Sequence, residues 1–219
     1  MPDIEAKSLS AVPEHLTPSL ATPRQQAPAG DWVYEIKYHG HRLLTRVVDG
    51  QVRMFYRNGE DWTDRLPAQV AAVATLGLEN TWLDGELVAI GSEGVPDFLA
   101  LQAALEGGDT ASLQYYLFDL PFYRCTDLRE QPLEQRRAQL AQILHGESDP
   151  CLKFSAAFAS RQAEDILECA GMLHIEGLIA KRAGSPYRSE RSPDWIKLDC
   201  AMQPDQRPLP GAQEAERNG

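Results

Sequence analysis

Asp49-Gly50 stands between two strand-length runs, His41 to Val48 and Gln51 to Arg57, and an Asp-Gly pair so placed joins antiparallel strands through a tight turn. Trp32 to Tyr38 predicts a third strand of the same small sheet. Leu66, Val70, Val73 and Ala74 follow at helical spacing, after a possible N-cap at Thr63, and predict a helix packed on that sheet. Further strands are expected over Thr81 to Ile90, Gln114 to Tyr123, Leu152 to Ala156, Glu176 to Arg182 and Trp195 to Cys200. Helices are expected over Asp97 to Leu105, over Leu133 to Leu144 with Leu133, Leu140 and Leu144 inward, and over Glu164 to Met172. Strands with interspersed helices, lacking regular β-α-β alternation, indicate an α+β fold of antiparallel sheets flanked by helices. Prolines at 2, 13, 18, 23 and 28 make residues 1–30 an extended lead-in without helices. Residues 31–200 then form the domain, and 201–219, rich in Pro, Gln and Glu, read as a disordered tail.

The decapeptide Val33 to Arg42, V-Y-E-I-K-Y-H-G-H-R, holds the densest chemistry. At period two Val33, Glu35 and Lys37 share one strand face, so a carboxylate and an ammonium point the same way. Gly40 permits a close backbone approach to a ligand, and Arg42 follows within reach of any anion that Lys37 touches. Asp84 and Glu86 likewise share a face. A formal charge of -11 argues against a whole-surface grip on nucleic acid. A local contact is expected instead at Lys181, Arg182, Arg188, Arg191 and Lys197. Four dispersed cysteines and an N-terminus without a basic-then-apolar leader suggest reduced thiols, and no apolar run reaches the roughly 20 residues of a membrane span.

Neither G-x-x-x-x-G-K-[ST] nor G-x-G-x-x-G occurs, so a P-loop or dinucleotide fold is not supported. What does occur, in order, is E-I-K-Y-H-G-H-R, R-N-G-E-D-W-T, L-D-G-E-L-V, Y-L-F-D-L, E-G-L-I-A-K-R and W-I-K-L-D. In that order these stretches resemble the nucleotidyltransferase motifs of ATP-dependent DNA ligases, most of all the ligase portion of bacterial non-homologous end-joining ligases. The likeness runs from about Pro18 to Cys200. It implies an ATP-grasp-like adenylation domain that uses ATP and Mg²⁺ on nicked or broken double-stranded DNA. Lys37 would attack the α-phosphorus to form lysyl-AMP and expel pyrophosphate. Glu35, Ile36 and Phe118 would meet the adenine, Glu86 the ribose and a metal, and Arg42 and Arg57 the ribose or phosphate. Glu176 would be a second metal-linked carboxylate, and Lys181 and Lys197 would meet the phosphates. Arg42 and Lys197 are expected to lower the Lys37 pKa. Glu176 and Lys181 lie on opposite faces of a regular strand, so a bulge or strong twist is expected to bring both to one site. End-joining proteins, or a separate chain bearing an OB-fold, would be partners, and the setting would be the bacterial cytoplasm, at the nucleoid when acting.

The sequence departs from the family pattern at three places. His39 stands where K-x-D-G-x-R has its aspartate, and Asp199 where K-x-K has its second lysine. No OB-fold is expected after W-I-K-L-D-C. His39 and His41 also form a spacing that two metal ligands can use. These departures keep open a homologue that binds ATP or a repair partner without forming lysyl-AMP. An RNA ligase or capping-type nucleotidyltransferase is a third reading, although R-N-G-E-D-W-T and S-P-Y-R-S-E-R-S-P-D-W-I-K-L look more like DNA end-joining ligases.

Overall fold

The computed structural model describes residues 7–9, 11–146, 149–159, 165, 167 and 175–199. One sheet contains β1 (Lys7–Ser8), β4 (His41–Val48), β5 (Gln51–Tyr56), β6 (Thr81–Val88), β7 (Gln114–Tyr123), β8 (Thr126–Asp127) and β9 (Leu152–Phe154). Its order is β1-β8-β7-β6-β4-β5, with β9 alongside β7. The second sheet has the order β10-β3-β11-β12-β2, built from β2 (Leu20–Arg24), β3 (Trp32–Ile36), β10 (Ala157–Ala159), β11 (Gly177–Arg182) and β12 (Arg191–Asp199). Among the described residues the helices α1 (Pro67–Thr75), α2 (Phe98–Gly107) and α3 (Leu133–Ile143) connect the strands.

Asp49 and Gly50 both take positive φ, 52° and 71°, which is the backbone that a two-residue hairpin needs and that Asp and Gly tolerate. Two pairings are parallel, β7 with β9 and β12 with β2, against the expectation of antiparallel sheets alone. The second of these draws the lead-in into the fold. Val12 is buried beside Leu44, Phe55, Trp82 and Phe122, and the Pro13 carbonyl accepts from Trp82 Nε1 at 2.9 Å. Prolines there prevent a helix but not a parallel edge strand, which β2 forms against β12.

Thr63 does not cap α1. Its hydroxyl accepts from the Met54 amide at 3.0 Å, a short 3₁₀ turn (Thr63–Arg65) intervenes, and α1 starts with Pro67 in its first turn, where no N–H is needed. Ala74 is exposed, whereas Gln69 is buried and donates to the carbonyls of Thr110 and Leu113. Asp97 caps α2 by accepting from the Ala100 amide, and Gly108 ends it at φ 76°. The helix expected over Glu164 to Met172 lies outside the described residues apart from Asp165 and Leu167, as does the segment after Asp199.

The larger core lies under the first sheet, around Leu43, Leu87, Leu117 and Leu140. A smaller one on the second sheet gathers Trp32, Tyr34, Leu178 and Ile196. Between them runs a buried ion pair, Arg136 Nε to Asp119 Oδ1 at 2.7 Å, with both side chains wholly inaccessible. Arg136 also donates to the carbonyls of Gln131 and Ser185, tying α3 to the chain before β12. Asp119→Ala would strand this guanidinium without a counter-charge, and a loss of about 3–5 kcal/mol in urea-unfolding free energy is expected.

Candidate active site

In the second sheet three strands bring one face of each to a common wall. Ile179 pairs with Glu35 and with Lys197, and Lys181 pairs with Val33 and with Trp195. Period two then places Glu35, Lys181, Ile179, Trp195 and Lys197 along one side of a cleft of about 280 Å³. Lys37 lies just past the end of β3, its amide donating to the Gly177 carbonyl at 2.9 Å. Glu176 precedes β11, outside the strand alternation, so it reaches the same cleft as Lys181 with no bulge in β11. The expected bulge lies elsewhere. In β7 the register against β6 slips between Asp84 and Gly85, leaving Phe118 as the extra residue, and this turns its ring into the cleft.

The opposite wall comes from the first sheet: Arg42 on β4, Tyr56 and Arg57 at the end of β5, Glu86 on β6 and Phe118 on β7. Arg42 and Glu86 are direct cross-strand neighbours. Arg42 makes a forked pair with Asp84, Nε at 2.5 Å and Nη2 at 2.7 Å, and its guanidinium carbon lies 4.5 Å from the centre of the Phe118 ring. The Tyr187 hydroxyl donates to Asp84 Oδ2 at 2.6 Å, locking the carboxylate that aims Arg42. Gly40 serves packing. A Cβ there would come within 2.1 Å of the Leu87 carbonyl oxygen, so the bare backbone lets the turn lie against β6.

Lys37 Nζ pairs with Glu176 and, at 3.0 Å, with Asp199. Burial pulls its pKa down, but the two carboxylates, Glu176 first, more than offset burial, and the pKa lies above the ordinary lysine value. This overturns the expectation of a lowered pKa. Arg42 is committed to Asp84, and the groups nearest the amine are anions. Lys181 behaves oppositely: burial holds it below the usual lysine range despite Glu35 at 2.7 Å, and its Nζ lies 4.4 Å from the Phe118 ring centre and 4.3 Å from that of Trp195. Burial pushes the Glu86 carboxyl up to about 8, with Asp84 and Glu176 adding to the rise and Arg42 and Arg57 offsetting part of it.

His39 stacks flat on Phe98, centroids 4.3 Å apart, and His41 meets the edges of Tyr56 and Trp62. Among the described residues no group of three or more His, Cys, Asp or Glu is arranged to hold a metal, so the two histidines form no such site. Burial, reinforced by Arg57 and Arg65, depresses the His41 pKa from 6.5 to about 4. Between those values the unfolded chain binds a proton that the folded chain refuses, so stability rises with pH across that window and is lost as pH falls through it. His41→Phe should flatten the slope of unfolding free energy between pH 6.5 and 4, removing up to about 3 kcal/mol of acid destabilisation.

The basic cluster from Lys181 to Lys197 is largely satisfied within the protein. Lys181 faces Glu35, Arg182 pairs with Asp194 at 2.7 Å, Arg188 with Glu130 at 2.5 Å, and Arg191 donates to the Ala21 carbonyl. Two of that group, Arg191 and Lys197, line the cleft with no ion pair among the described residues. All ten residues singled out from the sequence (Glu35, Ile36, Lys37, Arg42, Arg57, Glu86, Phe118, Glu176, Lys181 and Lys197) line the one cleft. Arg137, Ser155 and Tyr187, which act on them, were not singled out, and Asp84, placed beside Glu86 on one face, serves to hold Arg42. For Arg137 a signal existed: it lies between Leu133 and Leu140 on α3, a charge on the buried side of a helix.

A family model described as "ATP dependent DNA ligase domain" matches residues 14–199. The chain is 50% identical over 191 residues to the multifunctional non-homologous end joining protein LigD of Pseudomonas aeruginosa, covering 87% of this chain and 23% of that protein. It is 32% identical over 187 residues to the LigD of Mycobacterium tuberculosis, covering 84% of this chain and 24% of that protein. It thus spans about a quarter of the length of these curated relatives. Among solved structures, a mycobacterial DNA ligase D complexed with ATP and MES superposes with a TM-score of 0.72 at 30% identity, covering 84% of this chain and 60% of that one.

Proposed function

This chain belongs to the ATP-dependent DNA ligase domain family, and from that membership we propose that it carries out the nucleotidyl-transfer step of DNA strand joining with Lys37 as the residue that takes the AMP. The observation that carries the proposal is the convergence of two sheets on Lys37, with cations and carboxylates alternating around one nucleotide-sized cleft. In the proposed step the Lys37 amine, deprotonated, attacks the α-phosphorus in line, a phosphoramidate N–P bond forms, and pyrophosphate leaves. Arg42, Lys181 and Lys197 offset charge on the phosphoryl oxygens, and Phe118, Ile36 and Glu35 hold the base. Arg57 and Glu86 take the ribose or phosphate.

The residues present fit a divalent cation. Glu86 and Glu176 line the same cleft, and the upward push on Glu86 marks a carboxylate whose burial a cation would relieve. Mg²⁺, held by these two carboxylates and the nucleotide, supplies charge neutralisation at the phosphates when bound. The proton that Lys37 must lose is held by Glu176 and Asp199, and Glu176 is the acceptor in contact with it.

Nicked or broken duplex DNA is the proposed substrate, and bacterial end joining in the cytoplasm the proposed setting, because the relatives with the highest identity reported above are end-joining proteins. No helix among the described residues is long and apolar enough to cross a membrane. End-joining proteins are the proposed partners. The test is transfer of AMP from labelled protein to the 5′-phosphate of a nicked DNA duplex, run beside a nicked RNA duplex. Label moving to DNA and not to RNA is the expected result, and the reverse preference would replace the DNA reading. One observation favours a second reading, a nucleotide-binding homologue with weakened chemistry: the Asp199 carboxylate sits against Lys37 where the family carries a lysine.

A further inference from the structure

Ser19 and Tyr187 belong to none of the six motif stretches, yet with Asp84 they close a circuit of hydrogen bonds around Arg42. The Ser19 amide donates to the Tyr187 hydroxyl at 3.2 Å, and that hydroxyl donates to Asp84 Oδ2 at 2.6 Å. Asp84 accepts the Arg42 fork, Nε at 2.5 Å and Nη2 at 2.7 Å, and Arg42 Nη2 donates in turn to the Ser19 carbonyl at 3.3 Å. Both backbone groups of Ser19 are therefore spent on one circuit, in which every donor meets an acceptor. Ser19 and Asp84 are wholly inaccessible, and Tyr187 is 1% exposed. Burial, reinforced by Asp84, raises the Tyr187 pKa well above its ordinary value, so the phenol stays a donor.

We propose that Tyr187 is a positioning residue for AMP attachment, which together with the Ser19 backbone makes the lead-in a working part of the cleft by fixing the direction of Arg42. The inference rests on the reading that Arg42 meets the phosphate or ribose of the nucleotide that Lys37 attacks. A guanidinium carries five N–H donors in a rigid fork. Those on Nε and Nη2 are held by Asp84 and Ser19, and Nη1 takes no hydrogen-bond partner among the described residues. Arg42 lines the cleft, so the circuit leaves Nη1 to the ligand. Without the phenol, Asp84 Oδ2 would lose a donor and the Ser19 amide its acceptor, where water does not reach to replace them. The lead-in is fastened to β12 independently, by the Thr22 hydroxyl to the Ser192 carbonyl and the Leu20 amide to the Glu190 carbonyl, both at 3.0 Å. Loss of the phenol therefore releases the aim of Arg42 before it releases the strand.

The experiment is single-turnover AMP attachment, followed by intact mass over a series of ATP concentrations, in the wild type, Tyr187→Phe, Arg42→Lys and the double variant, with ATP calorimetry and a thermal melt of each protein. Tyr187→Phe keeps the aromatic ring that meets Trp195 edge to face. It is expected to lower the rate at saturating ATP roughly tenfold while ATP affinity falls by no more than about threefold, because a misdirected guanidinium costs more in the transition state than in binding. In the Arg42→Lys background the same change is expected to cost less than about twofold in rate, since a residue that acts through Arg42 then has no fork to aim. Thr22→Val loosens the lead-in from β12, is expected to give the same pattern at about threefold, and serves where Tyr187→Phe fails to fold. An equal fall in both backgrounds, no fall in a folded variant, or a fall confined to ATP affinity would overturn the inference and leave the Lys37 reading standing. A wild type that gains no AMP removes the Lys37 reading, and the cycle is then scored on ATP affinity. There, a loss in Tyr187→Phe that disappears beside Arg42→Lys upholds the positioning role, and an additive loss or none overturns it.

Discussion

Lys37→Ala is expected to leave no detectable AMP on the protein, a fall of roughly 10⁴-fold or more, because the variant lacks the atom that forms the N–P bond. The change removes a side chain 13% exposed that is paired with two carboxylates. Glu176 and Asp199 then repel each other without their shared cation, but both have access to solvent, so the fold should survive. ATP affinity measured by calorimetry should change little beside the loss of chemistry. An adduct of undiminished yield in this variant would move the nucleophile elsewhere, and Lys181 and Lys197 are the other amines in the cleft.

Asp199→Lys is expected to act in the opposite direction. In the structure this carboxylate lies 3.0 Å from Lys37 Nζ, so it faces the position that an α-phosphate must take and also helps hold the amine protonated. Two unit charges about 6 Å apart at an effective dielectric near 20 interact by about 3 kcal/mol, and changing repulsion to attraction doubles that as an upper bound. The Asp199 side chain is 55% exposed, and solvent screening reduces the gain to about 1–2 kcal/mol. A rise of roughly tenfold in the single-turnover rate of AMP attachment is therefore expected, with a further rise when His39→Asp is added. Rates unchanged in both variants would mean that neither departure from the family pattern limits the reaction.

Legibility from sequence followed the range of the interaction concerned. Period two placed Val33, Glu35 and Lys37 on one strand face, and the strand registers set Glu35, Lys37 and Lys197 along the cleft. The Asp49-Gly50 hairpin was legible because its geometry is local. Two kinds of feature were not. The parallel pairing of β2 with β12 depends on a partner some 170 residues away, and the prolines of the lead-in speak only of local backbone. The electrostatics of Lys37 also depended on distance: Arg42 is near in sequence but spent on Asp84, whereas Glu176 and Asp199 are far in sequence and in contact. The bulge at Phe118 arises because β7 fits one extra residue against β6, a mismatch that neither strand displays alone. Gly177 is a related case. A Cβ there would fall 2.1 Å from the Leu198 carbonyl oxygen, so β12 approaches closely and brings Asp199 beside Glu176.

The central claim is that Lys37 forms a covalent bond to AMP. The direct measurement is intact mass of the wild-type protein after incubation with ATP and Mg²⁺, repeated after acid treatment, with the modified peptide then sequenced by fragmentation. The account predicts a gain of one AMP, lost in acid as a phosphoramidate should be, and located on the peptide that contains Lys37. No gain while ATP still binds, or an adduct on any other residue, would contradict it.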